Sequence, residues 1–141
     1  MSEAILQIKH LEKSFGTHQV LKDIDFEVQK GEVISVIGSS GSGKSTLLRC
    51  INMLETPSGG EIIFEGKPVS YRPKDKNRFR SRVGMVFQSF NLFANMSALK
   101  NCMIGAQLVS KKSKEEAEAL ARKYLKVVGM SAYRNAKPSQ L

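Results

Sequence analysis

The stretch that decides the fold is Gly38-Ser39-Ser40-Gly41-Ser42-Gly43-Lys44-Ser45-Thr46. It matches the pattern GxxxxGK[ST], in which a loop of small residues lets successive backbone N–H groups converge on phosphate oxygens. A helix that begins at the end of the loop directs the positive end of its dipole at the same oxygens. The alternative is a glycine-rich turn that binds nothing. A strand before the loop and an amphipathic helix after it favour a site for the polyphosphate of a nucleotide.

Each of the last four positions of this loop has its own predicted role. A side chain at Gly43 is expected to obstruct the approach of the phosphates. Lys44 is predicted to reach the β- and γ-phosphates as a mobile point charge, and Ser45 to offer its hydroxyl to Mg²⁺. Thr46 is predicted to donate to the α-phosphate. The whole loop, from Gly38 to Thr46, is therefore the predicted nucleotide site.

The segments on either side of the loop have contrasting patterns. Residues 33–37 are almost continuously apolar and β-branched, which predicts a strand covered on both faces. Residues 44–54 have helical periodicity and predict a helix with one apolar face. That face consists of Leu47, Leu48, Ile51 and Leu54.

Other elements follow from periodicity and capping. Strands are predicted around residues 6–11, 24–28, 61–65 and 83–87, with a turn at Gly16-Thr17.

Two helices are predicted toward the end of the sequence. Ser97 can cap the first of them. Ser113 and Glu116 form a capping-box pattern before the second, Glu118 and Arg122 can pair one turn apart on it, and Gly129 stands where a C-terminal cap belongs.

Composition narrows the class of protein. The 141 residues are 41% hydrophobic and 25% charged, which excludes a disordered tail and a collagen-like repeat. No apolar run approaches the roughly 18 residues that a membrane span needs, and no secretory leader is recognisable. Cys50 and Cys102 stand far apart, so neither a disulfide framework nor a zinc site is predicted. A cytosolic domain is the expectation.

Positive charge is concentrated in one segment. The net charge is +9, and residues 67–82 hold seven basic side chains against one acid, Asp75. Such a run favours a solvated face. Binding of nucleic acid is the alternative, and no nucleic-acid partner is expected.

Four further stretches resemble the ATP-binding cassette (ABC) ATPases, especially importer cassettes for polar amino acids. They are residues 11–16, 54–61, 83–93 and 138–141. The resemblance implies an α/β fold of the P-loop NTPase class, with a mixed β sheet around the Walker A strand and helix. It also implies a nucleotide-binding core over residues 1–93 and the start of an α-helical subdomain over residues 94–141.

The resemblance implies roles for two residues outside the loop. Phe15 matches the aromatic residue that stacks on adenine, the alternative being a core position in the first strand. Gln88 matches the glutamine that senses the γ-phosphate through Mg²⁺ and the attacking water, the alternative being a solvated loop residue. The implied cofactors are ATP and Mg²⁺, with Ser45 and Gln88 at the metal and Lys44 and Gln88 as catalytic residues.

Partners and location also follow from the resemblance. The segment from Gln88 to Phe93 is expected to meet transmembrane permease subunits, and a second ATP-binding subunit is expected to complete a dimer. The implied location is cytoplasmic, at the inner face of the cell membrane.

The family's hydrolytic motifs beyond Leu141 have no counterpart in the sequence. The signature loop is represented by its first residue, the Walker B strand has no match, and neither His10 nor His18 matches the switch histidine. The chain is expected to bind ATP without efficient hydrolysis and to leave residues 33–37 uncovered, so its status as an enzyme stays open. The alternatives are a truncated, non-catalytic module that binds nucleotide or partner subunits, and a cassette of another ABC system, for lipoprotein release or cell division.

Overall fold

The structure is a computed structural model that describes residues 4–141. It divides into two compact units, Met1–Met85 and Val86–Leu141. The predicted functional division after residue 93 stays a prediction. In the described part of the chain, no helix combines the length and the apolar character that crossing a membrane requires.

The first unit is built on a four-stranded antiparallel sheet. The strands are β1 (Ala4–Phe15), β2 (His18–Gln29), β3 (Gly59–Phe64) and β4 (Lys67–Pro68), in the order β2-β1-β3-β4. Gly16, with φ 58°, forms the tight turn between the two long strands. The predicted strands 6–11, 24–28 and 61–65 and the predicted turn are confirmed.

The pairing of β1 with β3 is irregular near His10, and β3 has a glycine at this point. Gly60 on β3 has φ 79°, and a Cβ there would lie 2.2 Å from the carbonyl oxygen of His10. No side chain fits so close to a backbone atom, so only glycine allows β3 to approach β1 at this point.

Two helices belong to the first unit: α1 (Lys44–Ile51) and α2 (Pro73–Arg80). Helix α1 packs on the sheet through Leu47 and Cys50, and burial raises the pKa of the Cys50 thiol. The core that α1 completes contains Ile8, Leu11, Leu21, Leu47, Cys50 and Ile62.

The predicted apolar face of α1 is wrong in two respects. Leu48 is 48% exposed, and the helix ends at Ile51, before Leu54. Helix α1 does not continue to Leu54 because Met53 adopts φ 61°, which is incompatible with helical geometry.

The strands predicted over residues 33–37 and 83–87 are not formed. Val33 and Ile37 are 92% and 93% exposed, and within residues 4–141 neither segment has a ladder partner. A strand exists only through hydrogen bonds to a neighbour, so apolar composition alone does not make one. The sheet that holds α1 is therefore the antiparallel one, and the segment before the loop lies outside it. The expectation that residues 33–37 are uncovered is confirmed.

The second unit contains a helical hairpin. Helices α3 (Ala98–Leu108) and α4 (Lys114–Val127) pack through Met103, Ala117 and Ala121. As predicted, the Ser97 hydroxyl caps α3, accepting a hydrogen bond from the backbone N–H of Lys100 at 3.3 Å. Two short 3-10 helices, Ser131–Tyr133 and Pro138–Gln140, follow α4.

Both ends of α4 are capped as predicted. The Ser113 hydroxyl accepts from the Glu116 N–H at 3.2 Å, and the Ser113 N–H donates to the Glu116 carboxylate at 2.9 Å. At the other end Gly129 has φ 72°, and the N–H of Met130 donates to the carbonyl of Leu125 at 2.7 Å. The predicted pair of side chains on α4, Glu118 and Arg122, is also formed.

The capping box makes the stability of α4 depend on pH. The hydrogen bond from the Ser113 backbone N–H lowers the pKa of Glu116 below its usual 4.5. A lowered carboxyl pKa contributes stability above its unfolded value, and the contribution is lost as pH falls through the folded value. We expect the protection factors of the α4 amides, which correct for the slower intrinsic exchange in acid, to fall below about pH 4.5, and Glu116→Gln to remove this step.

Glu115→Gln is the matched control, because Glu115 also lies in the first turn of α4. It should keep the acid-induced fall in protection. An equal loss of the step in both variants would contradict the role given to the Ser113–Glu116 bond.

Candidate nucleotide-binding site

The candidate loop is a compact turn fused to the start of α1. The N–H of Ser42 donates to the carbonyl of Ser39 at 3.2 Å, and Gly43 caps α1 with φ 96°. The first helical hydrogen bond runs from Leu47 N–H to the Gly43 carbonyl at 2.8 Å. The N-terminal amides of α1 therefore open onto the loop, as the GxxxxGK[ST] pattern predicts.

The Lys44 side chain folds back over the loop. Its Nζ donates to the carbonyl oxygens of Gly38 at 2.7 Å and Ser39 at 2.6 Å, and to the Ser42 hydroxyl at 3.3 Å. All three ammonium donors are thus used inside the loop. Carbonyl oxygens are weaker acceptors for an ammonium than charged phosphate oxygens, so the same donors can be transferred to a phosphate.

Two glycines of the loop lie where a side chain would make close contacts. A Cβ on Gly38 would lie 2.6 Å from the Ser42 hydroxyl oxygen. A Cβ on Gly43 would lie 3.0 Å from Val20 Cγ1 and 3.3 Å from the Val20 carbonyl oxygen. A side chain at Gly43 would therefore contact β2 in this structure, and its predicted obstruction of the phosphates stays a prediction.

The remaining loop residues supply polar groups toward solvent. Ser40 and Ser45 are exposed, and Thr46 is half-buried in the first turn of α1. Within residues 4–141, the Ser45 hydroxyl makes no hydrogen bond. A single hydroxyl is a suitable oxygen ligand for Mg²⁺, which keeps several waters and takes phosphate oxygens as its other ligands. Backbone amides, one ammonium and one hydroxyl fit a polyphosphate with its Mg²⁺.

Phe15 lies at the end of β1 and is 47% exposed, so the alternative that it is a core residue is wrong. The Lys13 ammonium lies 4.7 Å from the centroid of the Phe15 ring. The Phe15 ring is therefore partly open to solvent and interacts with a cation through its π surface. Adenine stacking on Phe15 stays a prediction.

Gln88 is exposed and belongs to the second unit, in a segment without helix or strand. The loop belongs to the first unit, so joint coordination of a metal by Ser45 and Gln88 stays a prediction. The segment after Gln88 also exposes apolar side chains, with Phe90 at 77%, Leu92 at 46% and Phe93 at 52%.

Asn101 is a positioning residue that the sequence reasoning missed. Its Oδ1 accepts from the Phe93 N–H at 2.8 Å, and its Nδ2 donates to the carbonyls of Phe93 and Met96, each at 3.2 Å. This amide fixes the end of the segment after Gln88 to α3. Asn is uncommon inside helices, and its position in the first turns of α3 was the available signal.

The basic run of residues 67–82 is partly used inside the first unit. Arg82 forms a two-pronged ion pair with Glu65, one bond measuring 2.6 Å, and this pair lowers the pKa of Glu65. Arg80 donates to the backbone carbonyls of Asn52 and Met53. The prediction of a solvated face is therefore refined, because Arg80 and Arg82 bind groups of this unit and the Lys76 ammonium lies 5.9 Å from the centroid of the Tyr71 ring.

A phosphate-binding loop continuous with a helix N-terminus defines a P-loop protein. A family model described as "ABC transporter" matches residues 21–141, and the chain belongs to that family.

Curated relatives of the chain are ATP-binding transport proteins. The chain is 46% identical over 137 residues to the glutamine transport ATP-binding protein GlnQ of Escherichia coli (strain K12), covering 97% of this chain and 57% of the relative. It is 42% identical over 137 residues to the arginine transport ATP-binding protein ArtM of Bacillus subtilis (strain 168), with the same coverage. The L-cystine import ATP-binding protein TcyN of the same strain is 43% identical over 140 residues, covering 97% of this chain and 54% of the relative.

Solved structures give the same fold. The dimeric structure of MJ0796, a bacterial ABC transporter cassette, matches with a TM-score of 0.88 and 30% identity, over 96% of this chain and 62% of that chain. CbiO1 from Clostridium perfringens, part of the ABC transporter complex cbiONQ, matches with a TM-score of 0.84 and 30% identity, over 99% of this chain and 56% of that chain. The predicted α/β P-loop NTPase fold is confirmed. The chain spans a little over half the length of the curated relatives that it matches.

The contact between Gly43 and β2 gives a direct test of loop packing. Gly43→Ala adds a Cβ at positive φ and against Val20, whereas Gly41→Ala adds one at φ 77° with no atom within 4 Å. We expect Gly41→Ala to lower the free energy of unfolding by about 1 kcal/mol through backbone strain alone. Gly43→Ala should lower the free energy of unfolding by about 1 kcal/mol or more beyond the effect of Gly41→Ala, because its Cβ overpacks the contact with β2.

Hydrogen exchange of the buried β1 amides measures both costs in the first unit. Equal destabilisation by the two variants would show that the packing of Gly43 on β2 contributes nothing.

Proposed function

We propose that this chain supplies the ATP-binding part of an ABC importer, which couples ATP binding and hydrolysis to uptake of a polar amino acid. Family membership supports the transport class. The names of the relatives support the substrate class, because they specify glutamine, arginine and L-cystine, all of which are polar amino acids.

One observation carries the proposal: the Lys44 ammonium lies in the hollow of the loop, on the carbonyls of Gly38 and Ser39. A cation held among backbone groups at a helix N-terminus is positioned to bind an oxyanion of high charge. We propose that the loop amides and Lys44 bind the β- and γ-phosphates of ATP and that Thr46 donates to the α-phosphate.

The remaining ATP contacts are assigned by residue type and exposure. Ser45 is proposed to hold Mg²⁺, whose charge neutralises the phosphate oxygens during transfer. Gln88 is proposed to complete the metal and water contacts, since a neutral amide can accept from water or coordinate a cation. Phe15 is proposed to stack on adenine with the face of its exposed ring.

The partner subunits are proposed from the apolar side chains that the segment after Gln88 exposes. Phe90, Leu92 and Phe93 present aromatic and apolar side chains next to Gln88, the composition of a protein interface. We assign this surface to the permease subunits, which places the protein at the cytoplasmic face of a membrane. A second ATP-binding subunit is proposed to complete the nucleotide site.

The 141-residue chain by itself is proposed to bind ATP without efficient turnover. Its sequence contains no Asp-Glu pair after an apolar run. General-base activation of water and retention of the Mg²⁺ shell each need such a carboxylate.

Titration calorimetry with Mg-ATP on the folded chain tests the proposal. We expect saturable binding that Lys44→Ala weakens by roughly tenfold to a hundredfold, since hydrogen bonds to charged groups contribute about 1.5–3 kcal/mol. Lys126→Ala is the matched control, because this lysine lies in the last turn of α4 in the other unit.

Two outcomes would contradict parts of this proposal separately. Equal binding by wild type and Lys44→Ala would remove the nucleotide assignment. Steady phosphate release by the purified chain, abolished in Lys44→Ala, would instead overturn the proposal that the chain does not turn over ATP efficiently.

A further inference from the structure

Two compensating bulges bring three ligand-type side chains to one face of the antiparallel sheet. Between the pairs Ile8–Phe26 and Leu11–Ile24, β1 has one residue more than β2, and His10 lies in this bulge. Between the pairs Leu11–Ile24 and Lys13–Leu21, β2 instead has one residue more than β1, and Asp23 lies in this second bulge.

The bulged residues have left-handed backbone geometry. His10 has φ 50° and Asp23 has φ 48°. Leu11 and Ile24 point into the core, so His10, Asp23 and Asp25 share the opposite, solvent face.

The potential ligand atoms lie close together. His10 Nδ1 is 2.7 Å from Asp23 Oδ1 and 3.5 Å from Asp25 Oδ2, and one ligand atom from each of the three residues lies within 4.8 Å of the others. Among the described residues this is the one group of three His, Cys, Asp or Glu side chains with such convergence. The Asp25 carboxylate is held in place, because its Oδ1 accepts from the His10 backbone N–H at 2.9 Å.

These distances suit a small transition-metal ion. Ligand atoms at 2.0–2.2 Å from a tetrahedral Zn²⁺ are separated from one another by about 3.3–3.5 Å. The Asp25 contact already has this spacing, and the Asp23 contact needs to open by roughly half an ångström. One imidazole and two carboxylates form a ligand set that Zn²⁺ accepts, with water in the remaining position. The hard cation Mg²⁺ prefers oxygen ligands and gains little from the imidazole.

We propose that His10, Asp23 and Asp25 form a binding site for a divalent transition-metal ion of the Zn²⁺ type on the outer face of the β1–β2 pair. The site is independent of the nucleotide loop, which uses none of these residues. Its side chains are accessible, with 77%, 67% and 49% of the respective side-chain surfaces exposed. The ion would join the two long strands at the place where the bulges interrupt their ladder.

Titration of the full chain with Zn²⁺ alone, in a Cys102→Ser background, tests this site. The background removes the exposed thiol as a competing ligand. We expect one equivalent to bind, and His10→Ala to weaken binding at least tenfold. His18→Ala is the matched control, because His18 is the other histidine of the chain and also lies exposed on β2, and it should bind Zn²⁺ like the parent protein.

Asp25→Asn provides a second variant that keeps an oxygen for the His10 backbone N–H, so the strands stay paired while the charged ligand is lost. It should also weaken binding at least tenfold. The nitrogen chemical shifts of the imidazole give an independent readout, with Zn²⁺ shifting Nδ1 of His10 and leaving His18 unchanged. Equal binding by parent and His10→Ala, an equal loss in His18→Ala, or displacement of Zn²⁺ by equimolar Mg²⁺ would overturn the proposal.

Discussion

The candidate nucleotide site depends on Lys44, whose ammonium group is hydrogen-bonded to the loop that contains it. Three donors on Lys44 Nζ are occupied by Gly38, Ser39 and Ser42, so the loop is ordered around a cation before any anion arrives. The ammonium can pass from neutral carbonyls to charged oxygens with a gain in hydrogen-bond strength. Little reorganisation of the backbone is then needed for a phosphate to bind, which favours affinity.

The position of that loop is fixed by packing on the antiparallel sheet. Leu47 and Cys50 anchor α1 in the core, and Gly43 brings the start of the helix against Val20 of β2. The same two strands carry Phe15 at one end and the His10 bulge further along. The proposed nucleotide contacts of the loop and of Phe15 and the proposed metal site are therefore all supported by the same two strands.

Local signals in the sequence predicted local structure well. The glycine loop, the capping box at Ser113 and the cap at Gly129 each depend on residues within a few positions of one another, and all three are present. Several features that need distant partners were missed or wrong, although three strands of the sheet were predicted. Residues 33–37 and 83–87 have the composition of strands, but composition does not identify the strand with which a segment pairs. The bonds of Asn101 to Phe93 and of Arg82 to Glu65 join residues 8 and 17 positions apart, through tertiary contacts that no periodicity reports.

The most direct measurement is a solution NMR titration of the folded chain with Mg-ATP, following the backbone amides of residues 38–46 and the Lys44 side-chain nitrogen. Transfer of the ammonium from the carbonyls of Gly38 and Ser39 to phosphate oxygens predicts saturable shifts of the Lys44 nitrogen and of the loop amides at one common affinity. Saturable shifts confined to the other unit, or an unchanged Lys44 nitrogen at saturating nucleotide, would contradict it.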